Sequence, residues 1–290
     1  MGFIDLHLHS TCSDGLLTPK QLVDAACQAK LSTIALCDHD TVNGVAALQK
    51  AAITAGINVI PGVELSVAFH KHEDIHLLGY GIDTGNRELL GQLDAFAARR
   101  ANRNREIIAV INIKLSQEGK APLEVLEVES LADGVIGRPH IGRALLARGY
   151  VRDMQHAFDQ YLVPCNVPKF YWPMAEALSA IRRAGGVAVL AHPTTISLDH
   201  HLLSELISEL QTLGLDGLEV YNTLASEADM LFLQGLTRRL NLLVTAGSDF
   251  HGIAPDERIG KGRGGIRFSD ALLPPLMALA AQRTAARQPT

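Results

Sequence analysis

The sequence predicts an α/β protein built on a parallel sheet or barrel, interrupted by a mainly helical insertion. Three observations lead there. Strand-like and helix-like segments alternate through most of the chain. The short apolar runs Thr-Ile-Ala-Leu-Cys, Val-Ala-Val-Leu-Ala and Leu-Leu-Val-Thr-Ala suit strands buried on both faces. Between residues 86 and 171 the rhythm fails, and no strand of that type occurs there.

In order along the chain, Phe3–Leu8 reads as a strand with Ile4, Leu6 and Leu8 on one side. Thr18–Ala29 reads as a helix, with Thr18 as N-cap and Pro19 at its first position. Thr33–Cys37 is a strand, Val42–Ala55 a helix, and Asn58–Val67 and Ile75–Tyr80 are strands. The middle carries helical patterns at Arg87–Leu115, Leu123–Ser130, Arg138–Arg148 and Met154–Leu162. Ala175–Ala184 (helix), Val187–Ala191 (strand), Leu202–Leu213 (helix), Gly217–Tyr221 (strand), Ala225–Leu240 (helix) and Leu243–Gly247 (strand) follow. The Ala/Pro-rich C-terminal tail is expected to fray. Residues 1–85 and 172–290 are assigned to the main domain, and 86–171 to an insertion suited to an active-site lid.

A chain of 290 residues that is 47% hydrophobic can bury a sizeable core. Its net charge of −5 argues against a large nucleic-acid surface, though not against a local basic pocket. The four cysteines show no CxxC spacing, so neither a disulfide framework nor a thiolate zinc site is expected. No apolar run approaches the ~20 residues of a membrane helix, and no signal peptide precedes the first strand. A cytoplasmic location, no membrane and no stable protein partner are the expectations.

The chemistry begins at the N-terminus. In a strand the side chains at i and i+2 share a side, so His7 and His9 project together and can chelate a divalent metal, with Asp14 just beyond. Further candidates follow other strands: His39 in Cys-Asp-His-Asp, Glu64 in Gly-Val-Glu-Leu-Ser, His192 in Ala-His-Pro, and Asp249 and His251 in Ser-Asp-Phe-His. His76 opens or lines another strand. The C-terminal ends of parallel strands meet at one mouth in a barrel. Each residue alone has an ordinary reading as a cap or turn. Six histidines and three carboxylates in one topological position do not. Imidazole with carboxylate and no thiolate favours Mn²⁺, Fe²⁺ or Zn²⁺. Nine ligands exceed the needs of one ion, so two or three ions sharing a carboxylate are expected. His70, His72, His156, His200 and His201 are left as solvated or loop histidines.

Taken together, Asp-x-His-x-His, Asp-His-Asp, Gly-x-Glu-x-Ser, Ala-His-Pro and Ser-Asp-x-His resemble the polymerase-and-histidinol-phosphatase (PHP) family of metallophosphoesterases. The resemblance implies a distorted (β/α)7 barrel and a trinuclear centre. It implies one metal on His7, His9, Glu64 and Asp249, with Glu64 bridging to a second on His76 and His192. The third would take Asp14, His39 and His251. Many relatives carry a His where this chain has Asp14, which suits Mn²⁺ or Fe²⁺ and puts zinc preference in doubt. Asp5, Asp38 and Asp40 would then orient imidazoles from behind. A metal-bound hydroxide is the expected nucleophile, and His192, His251 or an aspartic acid could protonate the leaving alkoxide.

The insertion bears on substrate. Arg138, His140 and Arg143 lie in Gly-Arg-Pro-His-Ile-Gly-Arg at the start of a helix, and Lys169 lies near the insertion's end. Arginine pairs with phosphate in a planar, bidentate way, and helix N-termini add backbone donors. Solvated surface charge is the alternative for each, and the Arg99, Arg100, Arg103 and Arg105 cluster reads as a solvated face. Phe170, Tyr171 and Trp172 could stack on a base or belong to the core. The Gly-Arg-Pro-His motif resembles the PHP subgroup that removes the 3′-phosphate of 3′,5′-nucleoside bisphosphates. That resemblance implies a small nucleotide substrate. The rivals are 5′-3′ trimming of short RNA, a histidinol-phosphatase-like activity, C–N bond hydrolysis and a non-catalytic scaffold.

Overall fold

The computed structural model describes residues 2–131, 137–253 and 257–287. Strand β1 (Phe3–Leu8) is fully buried on both faces from Ile4 to Leu8, as a strand covered on two sides must be. After it come β2 (Leu31–Leu36), β3 (Asn58–Phe69), β4 (His72–Tyr80), the short β5 (Trp172–Pro173), β6 (Val187–Leu190), β7 (Gly217–Tyr221), β8 (Leu243–Ala246) and the short β9 (Phe268–Ser269). The sheet runs β8-β7-β6-β4-β3-β2-β1-β9, with β5 on the edge of β3. A parallel bridge between Leu8 and Phe250, with His9 N donating to Phe250 O at 3.0 Å, brings the two ends together. The result is a nearly closed barrel of seven main strands.

Besides the short β9, which pairs antiparallel with β1, one main strand departs from the parallel rule. β4 runs antiparallel to both β3 and β6. Only His70 and Lys71 separate it from β3, far too few for the dozen or more residues of a parallel crossover. The reversal swaps which end of the strand faces the mouth. Its ligand candidate, His76, lies at the middle of β4, paired with Ser66 of β3.

Helices α1 (Pro19–Gln28) and α2 (Val45–Ala55) flank the first strands. Thr18 caps α1 through a reciprocal box: its hydroxyl accepts from Gln21 N while Gln21 Oε1 accepts from Thr18 N. Helices α3 (Arg87–Gln117), α4 (Val125–Glu129), α5 (Arg138–Ala147) and α6 (Met154–Ala157) fill the middle, and Phe158–Leu162 continues from α6 as a π-helix. Helices α7 (Met174–Arg183), α8 (His200–Leu213), α9 (Glu227–Leu240) and α10 (Leu273–Arg287) complete the chain. Contacts divide it into two units, Met1–Gly91 with Tyr171–Thr290, and Gln92–Phe170. The second unit has its own core, built on Ile107, Ile111, Leu115, Ile141, Leu145 and Leu162. Trp172 is buried on β5, whereas Phe170 is 43% exposed under the Arg99 guanidinium, 4.1 Å from its ring.

The expected fraying tail is instead α10. Leu276 and Ala280 enter the barrel-side core, an amphipathic contact that the run of Ala and Pro hid. Arg283 fastens the helix by donating to both carboxylate oxygens of Asp216 and to Gly186 O. Asp216 also accepts from Ala188 N at 2.8 Å. Asp216→Ala strands a largely buried guanidinium and is expected to cost roughly 3–5 kcal/mol in urea denaturation. A loss below ~1 kcal/mol would show that α10 is held by its apolar face alone.

Candidate metal centre

β1 delivers His7 and, one residue past its end, His9; both rings are fully buried. The turns after β2, β6 and β8 deliver His39, His192, Asp249 and His251, while β3 and β4 deliver Glu64 and His76. Asp14 comes from the loop after β1 and is the most exposed of the set, at 45%.

The donor atoms fall into overlapping clusters. His7 Nε2 and His9 Nε2 are 3.1 Å apart. They lie 3.2 Å from Glu64 Oε1 and Oε2 respectively, and 3.4 and 3.1 Å from Asp249 Oδ1. Beside them Glu64 Oε1 lies 3.1 Å from His76 Nδ1 and 3.3 Å from His192 Nε2, and those two nitrogens are 3.3 Å apart. Nearer the surface, Asp14 approaches His251 Nε2 at 3.3 Å, His9 Nδ1 at 3.6 Å and His39 Nε2 at 3.7 Å. His39 also turns Nδ1 to within 3.0 Å of Glu64 Oε2, so its ring spans from the outer cluster to the central carboxylate.

Bonds of 2.0–2.2 Å to a tetrahedral or octahedral cation separate adjacent donors by roughly 2.8–3.6 Å. The deep clusters have that spacing. The chemistry agrees, because His9 Nδ1, His39 Nδ1 and Glu64 Oε2 are buried without a hydrogen-bond partner. Divalent cations fit this donor set. The structure brings together all nine residues that the sequence motifs carry, with Glu64 at their centre.

The electrostatics tell the same story. Burial would raise the Glu64 carboxyl, yet His7, His39 and His76 hold it well below its ordinary range. Burial likewise opposes ionisation of Asp249 and Asp14, and the neighbouring imidazoles overrule it, holding both low. Burial disfavours charge on His7, but Glu64, Glu219 and Asp249 raise it well above the usual value. Against the same burial, Asp249 and Glu64 lift His9 to about 9, and Glu64 and Asp74 lift His76 to about 10. His39 goes the other way, pushed to about 3 by burial and by the positive neighbours His9 and His76. Three carboxylates concentrated in a buried space hold protons where cations would otherwise sit.

Three acids expected to orient imidazoles do something else. Asp5 accepts from Ser248 N and Oγ at 2.9 and 2.6 Å and from Gly260 N at 2.6 Å, and burial pushes its carboxyl to about 6. Asp38 accepts from Ser10 N and Oγ, both at 2.7 Å, and from Ser13 Oγ at 2.7 Å. Asp40 accepts from Ser66 N and Oγ, both at 2.9 Å. These bonds run to backbone and serine groups of the turn after β1, of β3 and of the segment after β8. An acid that does reach a deep ligand ring is Glu219, which accepts from His7 Nδ1 at 2.9 Å. A glutamate inside the apolar run Gly-Leu-Glu-Val-Tyr was the signal for it.

The predicted substrate residues lie in the second unit. Arg138 opens α5 with its guanidinium 6.0 Å from the Phe158 ring, and Arg143 is exposed one turn on. His140 Nδ1 accepts from Gly137 N at 3.0 Å, and burial together with Arg143 lowers its pKa. Lys169 is partly buried. Arg103 is committed elsewhere, donating to Val167 O and Asn166 Oδ1.

Comparison with known proteins places this geometry. The PHP domain family matches residues 5–162, more than half of the chain. A 3′,5′-nucleoside bisphosphate phosphatase from Chromobacterium violaceum is 34% identical, over 89% of both chains. A 5′-3′ exoribonuclease from Escherichia coli is 32% identical, over 89% of this chain and 88% of that one. A crystal structure from Bifidobacterium adolescentis, assigned as a metal-dependent phosphoesterase, superposes with a TM-score of 0.79 at 27% identity, covering 95% of this chain and 96% of the other.

Coordination requires neutral imidazole, so the raised histidines must lose protons when a cation enters. At pH 7 His9 and His76 lie below their values of about 9 and 10 and are protonated in the metal-free protein. Mn²⁺ binding at pH 7 is expected to release at least two protons, and affinity should rise with pH until about 9–10. Calorimetric titration in buffers of different ionisation enthalpy measures the release. Binding without proton release would disprove this assignment of protons to His9 and His76.

Proposed function

This chain belongs to the PHP family, and we propose that it hydrolyses the 3′-phosphate of 3′,5′-nucleoside bisphosphates, giving a nucleoside 5′-monophosphate and phosphate. The observation that carries the reading is the buried Glu64 ringed by five imidazoles and joined by Asp249, a donor set made for divalent cations. The likeness to the Chromobacterium phosphatase along nearly the whole chain supports the substrate class. Mn²⁺ is the cation proposed, two or three per chain, with Fe²⁺ or Zn²⁺ as substitutes. A reducing compartment such as the cytoplasm fits four free cysteines.

Divalent cations supply two things when bound: a lowered pKa for water and compensation of charge on the phosphate oxygens. The chain's own groups do the rest. Among the described residues no protein nucleophile stands ready at the centre. Cys37 is buried and burial pushes its thiol well up, and Ser66 donates its hydroxyl to Asp40. Water is therefore the attacking group, and the ester oxygen leaves with a proton. His192 and His251 are both candidates for supplying it. Each has one ring nitrogen among the donors and the other engaged, by Thr195 Oγ1 at 3.1 Å and Asp249 O at 2.9 Å respectively, which favours ligand roles for both. The exposed side of the centre, at Asp14, is where a phosphate would enter. Arg138, His140, Arg143 and Lys169 are proposed to hold the distal 5′-phosphate. A second reading, 5′-3′ trimming of short RNA, is supported by the likeness to the Escherichia coli exoribonuclease.

An assay of the Mn²⁺-loaded protein against a bisphosphate, a 3′-monophosphate and short RNAs separates these readings. Glu64→Ala is expected to lower kcat by several orders of magnitude while the circular dichroism spectrum persists. Near-normal turnover would remove Glu64 from the centre of the chemistry. Arg143→Ala and Arg138→Ala should each reduce kcat/KM for the bisphosphate about tenfold to a hundredfold more than for the 3′-monophosphate, the worth of one charged hydrogen bond to phosphate. Equal losses on both substrates would rule out the distal-phosphate role.

A further inference from the structure

Glu219 lies on β7 with no exposed surface, and its two oxygens face two different ligands. Oε1 accepts from His7 Nδ1 at 2.9 Å, which fixes the His7 tautomer and leaves Nε2 free to face His9 and Asp249. Oε2 accepts from His192 N at 2.9 Å. That backbone is strained: His192 has φ +27° and ψ 61°, a region that a side chain-bearing residue keeps only when its surroundings impose it. His192 Nε2 belongs to the other deep cluster, with Glu64 and His76. One carboxylate thus grips one ligand of each cluster. The chain makes room for it, because a Cβ on Gly247 would stand 2.2 Å from His7 Cβ and 2.8 Å from Glu219 Oε1.

We propose that Glu219 is a positioning residue that couples the two deep cation subsites, so that filling one prepares the other. A cation on His7 Nε2 makes the Nδ1–H a stronger donor and fixes the carboxylate against it. The carboxylate then holds the His192 backbone in its strained conformation, which keeps the His192 ring turned toward Glu64 and His76. The coupling is reciprocal, as any linkage between two binding equilibria must be. Glu64 would hold both cations directly; Glu219 ties together the protein groups behind them. This inference rests on the metal-centre reading and adds an order of assembly to it.

Equilibrium dialysis against Mn²⁺ with elemental analysis tests it on the wild type, Glu219→Gln and Glu219→Asp. Gln replaces one acceptor oxygen with a donor, and Asp keeps the charge but is too short to span both partners. The wild type is expected to fill both deep subsites in one transition. Both variants should fill them in two transitions, separated by about tenfold or more in free Mn²⁺. Hydrogen exchange at the His192 amide should also speed up in both. A wild-type isotherm in either folded variant overturns the proposal, and so does normal His192 exchange. If Glu219→Gln does not fold, Glu219→Asp carries the comparison alone. A wild type that takes up no Mn²⁺ would instead overturn the metal centre itself.

Discussion

The arrangement of the candidate metal centre depends on one buried carboxylate. Glu64 has no exposed surface and stands 3.0–3.3 Å from nitrogens of His7, His9, His39, His76 and His192. Such a charge survives away from water only if it is compensated, and five rings from different strands and turns converge to do so. That convergence dictates topology. Each ring must come from a strand whose relevant end opens on the same mouth, which parallel strands provide without further adjustment. β4 meets the demand while running the other way, contributing His76 from its middle, opposite Ser66 in the hairpin with β3.

Around this centre the buried acids divide into two kinds. Asp5, Asp38 and Asp40 accept from backbone N–H groups and serines, and so fix where Ser10, Ser66 and Ser248 lie. Glu219 and Glu64 act on the rings themselves. The backbone shows the cost of this placement. Asp40, His192 and Asp249 all have positive φ, at 53°, 27° and 54°, although none is glycine. Asp249 follows Ser248, which Asp5 holds by two bonds, and His192 N is held by Glu219. Strain and clamp occur together, as expected where a site over-determines its own geometry.

Most of this was legible in the sequence where one residue pattern has one physical meaning. Phe3–Leu8 and Gly217–Tyr221 are strands with the predicted bounds, because each is a short apolar run ended by polar or turn-forming residues. Thr18 and Pro19 marked the start of α1 for the same local reason. What escaped depended on distant partners. α10 looked like a fraying tail because its stability comes from Leu276, Ala280 and the Arg283–Asp216 contact, none of which local composition reports. The direction of β4 depended on the brevity of one turn. Asp5, Asp38 and Asp40 were recognised as acids near ligands, but their partners lie up to 255 residues away for Asp5 and Gly260. Glu219 was missed because it stands alone in an apolar strand, without the alternation that drew notice to His7 and His9.

The same charges give the fold a defined relation to pH. His7, His9 and His76 have raised pKa values in the fold, so they stabilise it fully below their unfolded value near 6.5. That contribution is lost as pH rises, by about 9–10 for His9 and His76. Glu64, Asp14 and Asp249 have lowered values, so they contribute above the usual carboxylate range and lose that contribution as pH falls below it. His39 opposes the trend: held neutral at about 3, it costs stability below 6.5. Asp5, raised to about 6 by burial, likewise costs stability above the ordinary carboxylate range. The imidazolium contribution fades as pH climbs past 6.5, and only near 9–10 do His9 and His76 lose their protons in the fold and leave the buried carboxylates without that compensation. Cations then take over a task that imidazolium performs in their absence, and the centre becomes most dependent on metal in the alkaline range, where its ligands are readiest to bind one.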